Sequence, residues 1–98
     1  MDFIPASKEI MRIGVMLRAI DERQGIGIYT QNLMDRLLAL DPRNEYVLYY
    51  RNPAHLERHA ANPRVTERHI PGGGKMAWDQ LHIPAAARRD GVDLIFHP

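Results

Sequence analysis

Cysteine is absent from this chain, so it has no disulfide framework and no thiolate metal site, which fits a reducing compartment. No apolar run approaches the ~20 residues that span a bilayer, and no basic segment followed by an apolar core opens the chain. We therefore expect a cytoplasmic protein with no transmembrane segment. Charge of one sign is also scarce: 13 basic and 12 acidic residues leave a formal +1. That balance gives no electrostatic footprint of a nucleic-acid or anionic-membrane binder. What remains is 98 residues, 45% of them hydrophobic, which suffices for one core and one domain at most. Residues 1–10, interrupted by Pro5, Ser7, Lys8 and Glu9, read as a poorly ordered extension, and Met11-Arg12 as an alternative start.

Residues 11–18 are almost continuously apolar, as in a strand buried on both faces of a parallel sheet. Residues 26–40 follow with Ile26, Tyr29, Leu33, Leu37 and Leu40 at steps of three and four, widened by Met34 and Leu38. That spacing predicts a helix laid on the sheet, ended by Asp41-Pro42 because proline disfavours helical geometry in the residue before it. Residues 46–50, Tyr-Val-Leu-Tyr-Tyr, complete a βαβ unit. Asn52-Pro53 predicts a cap and a short helix of about two turns through Ala60. Residues 64–70 read as a polar strand, suited to a sheet edge. Residues 76–83 suggest a helical piece burying Trp78 and Leu81, and Pro84 starts or kinks a second piece that Gly91 closes. Residues 92–96 read as an apolar fourth strand.

This order predicts an α/β fold: a partial Rossmann-like parallel sheet of four strands in the order 3-2-1-4, with helices on both faces. Ligands of such sheets bind at the carboxyl ends of the strands, beside the point where the strand order reverses. Gly25 and Gly27, at the turn from first strand to first helix, let backbone N–H groups approach a phosphate at the helix N-terminus. Arg18 and His97 fall at the same end. His97 is a candidate for orienting an acceptor hydroxyl or stabilising charge, with a structural strand cap as the alternative. Pro71-Gly72-Gly73-Gly74-Lys75 lacks the Walker spacing and reads as a mobile loop. His55 and His59, four apart, have no evident third ligand, so no metal site is expected, and no cofactor is implied.

The run Met11-Arg12-Ile13-Gly14-Val15 through Gly25-Ile26-Gly27-Ile28-Tyr29-Thr30-Gln31-Asn32-Leu33, then Leu40-Asp41-Pro42 and Asn44-Glu45-Tyr46-Val47-Leu48, resembles the amino-terminal part of bacterial GT-B glycosyltransferases, specifically the retaining, nucleotide-sugar-dependent "group 1" family. Trp78-Asp79-Gln80 with Ile83-Pro84, and the run from Val92 to His97, extend the resemblance over nearly everything after Met11. It implies a two-domain hexosyltransferase, of which residues 11–98 are an incomplete acceptor-side domain. The glycine-rich turn then lies near the phosphates of the nucleotide-sugar donor, which carries over to Gly25 and Gly27. The acceptor is a glycan or lipid-linked sugar. The donor domain's acidic pair has no counterpart, so this chain alone is expected to be inactive.

Two other readings stay open. In an NADP-binding oxidoreductase domain Arg51 would meet a 2′-phosphate, although Thr30 stands where the third glycine of the dinucleotide fingerprint belongs. A non-catalytic flavodoxin-like interaction module is the other. The apolar fourth strand, left without a successor, further predicts that this chain self-associates.

Overall fold

The computed structural model describes residues 10–18, 25–71 and 74–98. Four strands, β1 (Arg12–Met16), β2 (Glu45–Tyr50), β3 (Val65–His69) and β4 (Leu94–Phe96), form one all-parallel sheet in the order β3-β2-β1-β4. The expected order and fold class therefore hold, and the sheet is Rossmann-like. Helix α1 (Ile26–Leu40) connects β1 to β2. The connection from β3 to β4 is one helical run of three parts: α2 (Lys75–Ala77), a π-helical turn (Trp78–His82) and α3 (Ile83–Arg89).

Because successive strand residues face opposite ways, β2 feeds both sides of the sheet. Tyr46, Leu48 and Tyr50 join Val15, Leu17, Met34 and Leu38 beneath α1. Val47 and Tyr49 join Met16, Ile70, Trp78, Ile83 and Ala86 beneath α3. Gly14 makes room for that second layer, since a Cβ there would stand 3.1 Å from both Tyr49 Cε2 and Val92 Cγ1.

The structure corrects the expected faces of the helices. α1 has the expected bounds, but it buries Gly27, Thr30, Met34 and Leu38 and leaves Ile26, Tyr29 and Leu40 exposed, Leu40 at 78%. Small Gly27 and Thr30 let the helix lie close to the sheet, and the Thr30 hydroxyl donates to Ile26 O at 2.9 Å, so this phase buries no unpaired hydroxyl. Trp78 is fully buried as expected, whereas Leu81 is 67% exposed. The π turn is the cause. Pro84 has no N–H and its ring crowds the carbonyl four residues back; the wider turn, closed by Ile83 N donating to Trp78 O, absorbs both and rotates Leu81 outward.

The helix expected through Ala60 is only a 3-10 turn, Pro53–His55, followed by irregular turns. Asn52 caps it as expected, accepting from Ala54 N at 2.9 Å, but Glu57 at φ 71° cannot continue a right-handed helix. β4 is shorter than the expected 92–96. Val92 N closes α3 on Ala87 O at 3.0 Å, and Asp93 ties to Arg12 in both directions, its N–H donating to Arg12 O and its carboxylate accepting from Arg12 N. Of the expected extension only Ile10 is described.

The loops that lead into the strands are heavily cross-linked. Asp41 accepts from Tyr46 Oη at 2.6 Å, from Asn44 Nδ2 at 2.9 Å and from Arg43 N at 3.1 Å. The Tyr46 hydroxyl bond leads in holding the Asp41 carboxyl down at about 2, against an opposing push from burial. Arg64 donates to Asp41 O and Asn44 O, and Arg12 to Glu45 and to Asp90 O. The Asp90 carboxylate accepts from Tyr49 Oη at 2.8 Å and Arg68 Nε at 3.0 Å. Burial, reinforced by these carboxylates, pushes the phenols of Tyr46 and Tyr49 far above their ordinary range.

Candidate anion site at the carboxyl end of the sheet

The expected site residues all follow the carboxyl ends of β1 and β4, the two strands between which the order reverses. Gly25 is the residue before α1, in left-handed backbone at φ 90°, where a side chain would meet no atom within 4 Å. Conformation rather than space therefore asks for glycine. The first helical bond runs from Tyr29 N to Gly25 O at 2.8 Å. Among the described residues no side chain caps the helix, and no acid stands in its first turn. The leading N–H groups of a 15-residue helix, with the positive end of its dipole, are thus not satisfied by a capping side chain. Such an end suits a phosphate.

Arg18 lies just beyond β1 and forms an ion pair with Asp79, Nε to Oδ1 at 3.3 Å. Both atoms are shut off from solvent, yet among the described residues neither makes a hydrogen bond, because the contact lacks the directionality of one. The rest of each side chain keeps some exposure, 22% and 25% overall. Asp79 sits on the π turn directly after Trp78, whose indole donates to Ile70 O at 2.7 Å. Asp79 is the site residue that sequence reasoning missed. The Trp-Asp-Gln run flagged its neighbourhood, but its pairing with Arg18 emerges only when the helical run crosses the sheet.

His97 follows β4, and the register Val15↔Phe96 sets it level with Met16 at the same end. It is exposed and makes no hydrogen bond among the described residues, so nothing in its surroundings supports the strand-cap reading. The concavities described lie elsewhere: one of about 600 Å³ beside β3, lined by Leu56, Glu57 and Glu67 among others, and an apolar one of about 190 Å³ between Leu37 and Phe96. Neither touches Gly25, Gly27, Arg18 or His97. Among the described residues no cluster of three His, Cys, Asp or Glu could hold a metal. His55 and His59 diverge, the first against the Tyr50 ring and the second 3.8 Å from Asp35 Oδ1. Gly72 and Gly73 of the glycine loop fall outside the described residues.

Models of protein families, curated proteins and solved structures offer no match to this chain. No helix among the described residues is long and apolar enough to cross a membrane.

Proposed function

We propose that this chain is the acceptor-side, Rossmann-like domain of a cytoplasmic, retaining GT-B glycosyltransferase of the "group 1" kind. The observation that carries the reading is the α1 N-terminus, preceded by left-handed Gly25 and with no capping side chain among the described residues, beside the β1/β4 switch point. In sugar transfer the bond from the anomeric carbon to the donor's phosphate oxygen breaks and an acceptor hydroxyl bonds to that carbon, losing its proton. Negative charge then grows on the leaving nucleoside diphosphate. Fixed N–H groups aimed at that charge stabilise the transition state more than the ground state. The Gly25–Gly27 turn supplies these groups, Arg18 a positive charge, and His97 a partner for the acceptor hydroxyl. The second domain brings the donor's nucleotide, so the chain alone binds donor without transferring sugar.

The dinucleotide reading gains no support from the fold. Thr30, at the third-glycine position, is buried with its hydroxyl engaged by α1 itself. Calorimetric titration with UDP-glucose, GDP-mannose and NADPH separates the readings. Heat from a sugar nucleotide but not from NADPH is expected; the reverse overturns the proposal.

A second copy of the chain is a further partner. Among the described residues β4 is the outer strand and pairs only with β1, with Phe96 partly exposed above the apolar cleft that Ile13, Leu37, Tyr46 and Leu94 also line. Light scattering over a concentration series is expected to report more than one chain per particle. A monomer at high micromolar concentration contradicts this.

A further inference from the structure

We infer that Asp79 is the positioning residue for Arg18, fixing where its guanidinium meets the donor's diphosphate; this rests on the proposed function. The contact is made at Nε, the inner nitrogen, which is sealed from solvent, so the exposure that Arg18 keeps falls on its other atoms. A guanidinium gripped at Nε retains both terminal nitrogens for a second acceptor, and a phosphate matches their fork. A free arginine samples many rotamers, and the contact with Asp79 restricts them before the ligand arrives.

Two observations set this pair apart from an ordinary salt bridge. Structural ion pairs away from water are hydrogen-bonded, because stranded charge is costly. Here Nε and Oδ1 are sealed and have no hydrogen-bond partner among the described residues, whereas the Arg68 Nε contact with Asp90 is a hydrogen bond of 3.0 Å. Asp79 also occupies a single π turn held from both sides, by the buried Trp78 indole on Ile70 O and by Pro84 one residue past the turn's closure. Such turns recur where a helix aims a functional side chain. The β3 to β4 connection thereby reaches across to the end of β1 and sets the cation that directly follows that strand.

The sign of the effect tests this. If Asp79 only places negative charge near the site, Asp79→Asn tightens anion binding; if it positions Arg18, Asp79→Asn weakens it although the local charge becomes more positive. The measurement is titration of the 98-residue chain with UDP and with pyrophosphate, following the Arg18 Nε–Hε resonance and the backbone amides by NMR, with urea midpoints as a control for folding. We expect Asp79→Asn to weaken UDP binding at least fivefold, with the Arg18 resonance collapsing toward that of a free arginine. Asp79→Glu should restore both to within about twofold. UDP bound equally well or more tightly by Asp79→Asn overturns the role of Asp79 alone. A wild-type chain that ignores both UDP and pyrophosphate overturns the site, and this role with it. Should Asp79→Asn fail to fold, Arg18→Lys reports instead: it keeps the charge but loses Nε and the fork, and UDP affinity equal to wild type overturns the inference.

Discussion

The two ends of the sheet are built on opposite terms. At the amino end, where loops enter the strands, Asp41 and Asp90 each hold several partners and Glu45 pairs with Arg12, so that phenol, guanidinium and main chain are stitched together at 2.6 to 3.1 Å. At the carboxyl end, among the described residues, a helix starts without a side-chain cap, Arg18 and Asp79 touch without a hydrogen bond, and His97 makes no hydrogen bond. Satisfied polar groups stabilise and specify a fold; groups left open at a strand's carboxyl end are available to a ligand.

The comparison makes predictions of graded size. Trp78 is the firmly anchored group at the carboxyl end, so Trp78→Ala should have the largest effect, roughly 3–5 kcal/mol of stability by chemical denaturation. A loss below about 1 kcal/mol would mean that the π turn stands without its indole. Tyr46→Phe removes a hydrogen bond to a charged carboxylate and should cost roughly 1–2 kcal/mol, with no change in nucleotide affinity. It also moves the acid limb. Asp41 is depressed to about 2 in the folded chain, so its stabilisation is complete above its unfolded value near 3.8 and is lost as pH falls through about 2. In Tyr46→Phe the Asp41 carboxyl should titrate closer to its ordinary value and acid unfolding should begin at higher pH; an unshifted acid limb would remove Asp41 from the account. His97→Ala should leave stability unchanged within ~0.5 kcal/mol. In the two-domain enzyme it should lower turnover more than donor affinity, and unaltered turnover would leave His97 without a role.

Legibility in the sequence follows the same division. Strand order was readable because residues 11–17 and 46–50 are apolar enough to require burial on both faces, and 65–69 polar enough to require an edge. Local rules also located the Gly25 turn. They misplaced the inward face of α1, since hydrophobicity favours Tyr29 and Leu40 over Gly27 and Thr30, and only contact with the sheet rewards small residues. Leu81 was misassigned because a π turn shifts the helical phase by about one residue. The Asp79 contact joins residues 61 positions apart, beyond the reach of any local pattern.

The central claim is that the open end of α1 receives the phosphates of a nucleotide. Mapping the backbone amides of the 98-residue chain by NMR during titration with UDP tests it most directly, with Gly27→Val as the blocked control. The account predicts shifts concentrated at Gly25, Ile26 and Gly27, largely lost in Gly27→Val, whose urea midpoint falls because Gly27 is buried against the sheet but which remains folded under the titration conditions. Shifts concentrated at the amino-end loops around Asp41 and Asp90, or equal binding by Gly27→Val, would contradict it.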